Sequence, residues 1–155
     1  MKKLNLLLGI LIGLIIFSSC SNNDDSNSNS NSIIGTWKTV KEVEVCTTGN
    51  VENYILHTCA QNGRTTYFEN GTLNITGYHL NNGNCEQYLN MIGSWSLNNN
   101  NLTVTTEFDT YNPSFFELSN DILRIGYYVY DTDPSRTCDG ENLLSHYYLE
   151  YVRVD

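Results

Sequence analysis

Four of the five cysteines, Cys46, Cys59, Cys85 and Cys138, are the side chains whose type most readily supports covalent or metal chemistry. No two of them have the Cys-x-x-Cys spacing, so the sequence predicts neither a redox pair nor a zinc ribbon. In an oxidising compartment, an even number of cysteines is typical of structural disulfides. We therefore expect two disulfides, for which the four positions allow three connectivities.

The three histidines, His57, His79 and His146, are the only side chains that titrate near neutral pH without perturbation. No two of them have the HxH or HxxxH spacing of metal ligands. His57 and Cys59 would bind a metal together only if Cys59 were a free thiol. The sequence thus predicts isolated histidines on strands or loops and no metal.

Residues 131–141 collect four carboxylates in a short loop. A solvated acidic loop is the main interpretation, and a weak calcium site is the alternative. Gly140 and Glu141 fall at the wrong offsets for an EF-hand loop. No serine lies in a Gly-x-Ser-x-Gly elbow, and no spacing establishes a glycosidase pair of carboxylates. The chain is therefore predicted to be non-enzymatic, with no cofactor.

The first twenty residues have the pattern of a secretory signal peptide. Lys2 and Lys3 precede a nearly uninterrupted apolar stretch, residues 4–17, that is too short for a comfortable membrane span. The closing Phe17-Ser18-Ser19-Cys20 resembles a bacterial lipobox. That resemblance implies cleavage after residues 1–19, attachment of fatty acyl chains such as palmitate to Cys20, and anchoring in a membrane.

Residues 20–32 comprise this cysteine and a Ser/Asn/Asp segment with no apolar side chain, which predicts a disordered tether. Residues 33–155 have the size of one domain. Ser21, directly after the cysteine, resembles an outer-membrane sorting signal, so we expect an outer membrane lipoprotein on either the periplasmic or the surface-exposed face. The net charge of −9 argues against nucleic acid and against an anionic membrane surface as partners.

The domain is predicted to be all-β, because its apolar residues recur with period two and no long helical stripe is present. Leu102, Val104 and Phe108 share one strand face, and the polar turn 98–101 and Asn70-Gly71 predict hairpins. The predicted strands span residues 35–46, 64–69, 72–80, 88–97, 101–108, 114–119, 122–131 and 143–154.

Short connections favour an antiparallel meander, and about eight strands suffice to close a barrel that is either filled or holds one small ligand. A β-sandwich is the competing architecture. Residues 47–63, where a short helix is an option, are expected to cap one end. The candidates for a ligand pocket or core are Trp37, Trp95, Leu102, Val104, Phe108, Leu123, Ile125, Tyr127 and Val129.

Four motifs carry a resemblance to lipocalins and lipocalin-like bacterial domains. Ile33-Ile34-Gly35-Thr36-Trp37 resembles their Gly-x-Trp opening. Residues 67–72 are similar to their aromatic hairpin, the Gly93-Ser94-Trp95 segment with residues 101–104 to their central hairpin, and residues 116–123 to their closing hairpin. The resemblance covers residues 33–155 and implies a lipocalin-like β-barrel.

In that family the tryptophan of the opening motif plugs the closed barrel end, and a late arginine packs on it. Arg124 and Arg153 are the candidates for this arginine. The resemblance also implies a disulfide between Cys59 and Cys85, with Cys46 and Cys138 as the other pair.

The leading functional hypothesis is a lipid-anchored, non-enzymatic envelope lipoprotein that binds a small apolar or amphipathic ligand. Apolar burial would supply affinity and tyrosine hydroxyls would orient the ligand. One alternative is a protein-binding module, of the inhibitor or immunity type, with a basic protein partner. The other is a surface glycan-binding module that uses some of the eleven tyrosines.

Overall fold

The computed structural model describes residues 32–130, 137–138, 140 and 142–154. Within these residues every strand pairing is antiparallel, and helix is limited to a 3-10 turn at Ala60–Asn62. The all-β prediction is confirmed. The strands are β1 Gly35–Cys46, β2 Val51–Ile55, β3 Arg64–Tyr67, β4 Thr72–Asn81, β5 Asn84–Asn98, β6 Asn101–Thr106, β7 Thr110–Tyr111, β8 Phe115–Ser119, β9 Ile122–Tyr128, β10 Thr137–Cys138 and β11 Asn142–Arg153.

The strand order confirms the predicted meander. It runs β7-β6-β5-β4-β3-β1-β11-β9-β8, with β2 added to β1 and β10 added to β11. The first strand thus pairs with both the third and the last. Among the described residues no ladder joins β7 to β8, so the hydrogen bonding of the barrel is interrupted at this one place. Side chains of β5, β6 and β8 nevertheless pack into the same core.

Asparagine-rich turns connect the long strands. Asn99 and Asn100 have φ of 49° and 67° in the turn between β5 and β6, a left-handed conformation that asparagine tolerates. Asn82 and Gly83 do the same between β4 and β5, with φ of 49° and 83°. The sequence interpretation passed over this second Asn-Gly signal, and for that reason it started β5 four residues too late.

Segment 47–63 contains more regular structure than expected. β2 lies there, paired with β1, and the 3-10 turn that follows contacts both β1 and β4. β2 has no apolar alternation because it is a mostly exposed outer strand, and period-two reasoning therefore missed it.

The core lies at one end of the barrel, where β1 begins. Trp37 and Leu123 have no exposed surface, and Leu73 and Leu102 have about 1%. Residues directly paired across strands point to the same face, so the register places all of these side chains inside. The rest of the cluster consists of Ile33, Tyr67 and Val104, with half-buried Ile75, Trp95, Leu97, Phe116, Leu118, Ile125 and Tyr151 packed against it.

The prediction that Phe108 belongs to the pocket or core is wrong, because its side chain is 74% exposed. β6 ends at Thr106, whose Oγ1 accepts hydrogen bonds from the backbone N–H groups of Phe108 (3.3 Å) and Asp109 (3.2 Å). This turn stops the alternation on which the prediction relied. Val129 lies just past the end of β9 and is half-buried outside the core cluster.

Several predictions lie outside the described residues: the signal peptide 1–19, Cys20 with almost all of its tether, and most of the acidic loop 131–141. Of the described residues, none forms a helix of sufficient length and apolarity to cross a membrane.

Candidate functional site

Trp37 closes the end of the barrel at which the chain enters. Its Nε1 donates a hydrogen bond of 2.8 Å to the carbonyl oxygen of Ile33. The Arg153 guanidinium carbon lies 4.3 Å from the centre of the Trp37 ring, which is a cation–π contact. An apolar ring, a satisfied indole N–H and a stacked cation together make a plug.

Arg153, not Arg124, is therefore the late arginine on the tryptophan. It also donates to the carbonyl oxygens of Ser32 and Ile34 and lies 3.6 Å from a carboxylate oxygen of Asp121. These contacts tie the last strand to the residues that precede the first. Sequence reasoning could not choose between the two arginines, because the choice depends on which one faces inward at this end.

Trp95 lines the interior beside this plug. Its Nε1 donates to the carbonyl oxygen of Phe68 at 3.0 Å, and its ring meets that of Tyr67 edge to face at 5.5 Å. Burial raises the pKa of the Tyr67 hydroxyl far above its usual value, so Tyr67 is neutral at any physiological pH. Trp95, Leu102 and Val104 are consequently core residues at this end.

The interior becomes more accessible along β9, away from the plug. Leu123 is fully buried, Ile125 is half-buried against the core, and Tyr127 is half-buried beyond it. Leu149 of β11 pairs with Ile125 and so faces inward, yet it is 36% exposed. Solvent therefore reaches the interior at this level.

Tyrosines surround this more open level. The rings of Tyr127 and Tyr147 lie 5.9 Å apart. Burial, with smaller contributions from Tyr147, Tyr111 and Asp109, raises the pKa of Tyr127. The Tyr127 hydroxyl is therefore neutral at physiological pH and can donate a hydrogen bond at this level.

A cleft of about 500 Å³ lies where the ladder is interrupted, between the β5–β6 hairpin and β8. Its apolar residues also pack on the core, and its rim is polar. This volume is in the range of small-molecule sites, and the lining is divided evenly between apolar and polar residues. The lining residues are Leu97, Asn100, Phe116, Glu117, Leu118 and Ser119.

Both disulfides lie at the end remote from Trp37. Cys46 at the end of β1 is bonded to Cys138, and Cys59 before the 3-10 turn is bonded to Cys85 at the start of β5. These are the pairs that the resemblance implies. All four sulfur atoms are thereby withdrawn from metal chemistry.

The histidines lie in three separate environments. His57 Nδ1 accepts a hydrogen bond from the backbone N–H of Cys59, and the His79 ring lies 5.1 Å from that of Tyr88. His146 stacks on Phe115 at 5.0 Å. Within the described ranges, no three His, Cys, Asp or Glu side chains lie close enough to hold a metal ion.

Sequence reasoning missed the outer face of β1, β11, β9 and β8, which carries ordered charges and stacked aromatic rings. Arg124, for example, bridges Glu117 and Glu150 on this face. The only local signal was the alternation of Arg124, Gly126 and Tyr128 opposite the inward row of β9. Its meaning depends on the cross-strand register, which the sequence does not state.

The comparisons with known proteins agree with this architecture. The model of the lipocalin-like domain family matches residues 33–125, which is more than half of the chain and runs from the Trp37 motif into β9. A comparison with curated protein sequences returns no match. With its Gly-x-Trp opening, its plugging tryptophan and its antiparallel meander, the chain belongs to the lipocalin-like domain family.

Proposed function

We propose that this protein is a non-enzymatic carrier that binds a small apolar or amphipathic ligand in the cleft between β8 and the β5–β6 hairpin. The observation that carries the proposal is the cleft itself, about 500 Å³ of space where no ladder joins the described strands β7 and β8. A family whose members enclose ligands inside a barrel supports the same function.

The cleft supplies both parts of an amphipathic site. Leu97, Phe116 and Leu118 present apolar surface that is continuous with the core. Burial of a ligand against them contributes roughly 2.5 kcal/mol for every 100 Å² of apolar area, before the cost of ordering the ligand is subtracted. Asn100 and Ser119 can hydrogen-bond a polar head at the rim.

The proposal includes a lipid anchor at Cys20 in the outer membrane. It rests on the signal-peptide pattern and the lipobox resemblance. The two disulfides support an oxidising compartment, because such bonds persist outside the cytosol. Globomycin treatment of cells that express the full chain tests it: retention of residues 1–19 supports the anchor, and unchanged processing contradicts it.

Ligand binding is tested with the fluorescent apolar probe N-phenylnaphthylamine. We expect Ser119→Trp to weaken probe binding about tenfold, or 1.4 kcal/mol, because the indole would occupy the cleft rim. Ser94→Trp, the same change at an exposed serine of β5 outside the cleft, should bind as the original protein does.

Phe116→Gln is a second test of probe binding, because it makes the cleft wall polar. Its unfolding is measured in parallel to separate lost binding from lost stability. Equal probe affinity in all four proteins, or no probe binding at all, would contradict the proposal. The alternative of a basic protein partner stays a prediction from the net charge.

A further inference from the structure

The outer face of β1, β11, β9 and β8 carries a row of alternating charges. Lys41, Glu150, Arg124 and Glu117 follow one another across the four strands, in register. Their ion pairs measure 3.2 Å between Lys41 and Glu150, 2.9 Å between Glu150 and Arg124, and 3.0 Å between Arg124 and Glu117. The row is electrically neutral on a chain whose net charge is −9.

The next row along the strands is aromatic. Tyr148 and Phe115 flank Gly126, and their rings stack at 5.0 Å with planes 17° apart. A side chain at position 126 would collide with the carbonyl oxygen of Tyr147 and with Tyr148, so glycine is required there. Arg124 lies 5.5 Å from the centre of the Tyr148 ring and connects this row to the charged one.

The third row extends the aromatic surface outward. His146 pairs with Tyr128 and stacks on Phe115 at 5.0 Å, while the Tyr128 ring meets that of Phe115 edge to face at 5.7 Å. Tyr130 lies 6.2 Å from Tyr128. Tyr128 is 43% exposed and Tyr130 is 84% exposed, so both side chains are accessible to a ligand from solvent.

These rows form a surface, and three of its properties restrict the class of ligand that it can bind. It is aromatic, so it offers flat apolar faces with hydroxyl tips. The four charges of the neighbouring row pair with one another, so that row offers no net charge to an ionic ligand. Ion pairs and ring stacking hold the Tyr128 side of it in place, so little freedom remains to be lost on binding.

A neutral carbohydrate matches all three properties. The C–H face of a pyranose ring packs on an aromatic ring, and its hydroxyl groups hydrogen-bond to tyrosine hydroxyls. We propose that this outer face binds a neutral glycan, with sugar rings stacked on Tyr128 and Tyr130. The charged row shares Glu117 with the cleft, but neither Tyr128 nor Tyr130 lines the cleft, so the proposed stacking site is distinct from it.

The test is affinity electrophoresis of the full chain in native gels that contain laminarin, galactomannan, xyloglucan or, as the charged comparison, polygalacturonate. We expect at least one neutral polysaccharide to slow the protein, and Tyr128→Ala/Tyr130→Ala to raise its dissociation constant about tenfold or more. Phe108→Ala removes an exposed aromatic ring elsewhere and should leave the retardation unchanged.

Tyr130→Ala alone guards against a folding defect, because residue 130 is highly exposed and lies beyond the end of β9. It should lose part of the retardation with an unchanged circular dichroism spectrum. Retardation by none of the neutral polysaccharides, retardation by polygalacturonate alone, or an equal loss in Phe108→Ala would overturn the proposal. So would a dimer that Tyr128→Ala/Tyr130→Ala dissociates, since the face would then bind a second copy.

Discussion

The two ends of the barrel are held together by different chemistry. At the entry end, a fully buried Trp37 packs among Leu73 and Leu123, and Arg153 stacks on its outer side. At the other end the interior is reached by solvent near Leu149, and two covalent bonds tie β1 to β10 and the 3-10 turn to β5.

The difference shows that a domain of this size is stabilised by core packing at one end and by disulfides at the other. A small core cannot cover both ends of a barrel, since a short chain buries a limited fraction of its surface. Disulfides replace packing where apolar side chains are too few. The entry end should therefore be independent of redox conditions, whereas the remote end should depend on them.

The largest expected effect is at the entry end. Trp37→Ala should lower the free energy of unfolding by about 3–5 kcal/mol, because it leaves a large cavity and removes the surface on which Arg153 stacks. Urea denaturation measures this loss. Phe108→Ala, an exposed aromatic control, should stay within about 0.5 kcal/mol of the original protein. A similar loss in both variants would remove the contrast between core and surface.

Opening the disulfides should cost about 2–4 kcal/mol each at the remote end. Cys46→Ser/Cys138→Ser should cost about 1 kcal/mol more than Cys59→Ser/Cys85→Ser, because it opens a loop of 92 residues instead of 26. The measurement is urea denaturation of both double variants under oxidising conditions. The reverse order would mean that local contacts, not loop length, decide the cost.

High pH should act on the entry end. Burial raises the pKa of Tyr151 to about 12, with the hydrogen bond to Thr39 opposing, while an unfolded tyrosine titrates near pH 10. The folded state thus favours the neutral Tyr151 hydroxyl. The stabilisation that comes from burying this hydroxyl is complete below about pH 10 and is lost as the pH rises from about 10 to 12. Tyr151→Phe should flatten the fall of stability over that range, as measured by urea denaturation at successive pH values. An unchanged slope would contradict the assignment.

The smallest effect concerns like charges at the remote end. Glu44 and Glu52 are directly opposite each other in the β1–β2 pair. Glu52→Gln should stabilise the protein by about 0.2–1 kcal/mol, and less at high salt, because it removes this repulsion. Glu69→Gln, at an exposed turn, is the matched control. Destabilisation, or a gain that high salt leaves unchanged, would contradict it.

The features that depend on residues close together in the chain could be predicted from the sequence. Alternation in Leu102-Thr103-Val104 and Leu123-Arg124-Ile125 located strands, and asparagine turns located hairpins. Phe108 failed because the hydroxyl of Thr106 begins a turn before the pattern ends.

The features that depend on register were not predictable. The row in which Arg124 joins Glu150 becomes apparent only when β9 is aligned with β11. The cleft could not be predicted for the same reason, since its walls come from β8 and from the β5–β6 hairpin, which is separated from β8 in the sequence. A period-two pattern states which residues share a face, but not which strands meet.

The pairing of the first strand with the last has a consequence for when this chain can fold. Trp37 lies beside Arg153, so the plug is assembled from residues at opposite extremes of the domain. Such distant pairings form slowly, because the entropy cost of closing the intervening chain into a loop comes before any stabilising contact is made. A chain that still lacks β11 has no partner for one edge of β1 and no cation for its tryptophan. Synthesis of β11 therefore sets the earliest moment at which this domain can fold, and the chain stays open until then.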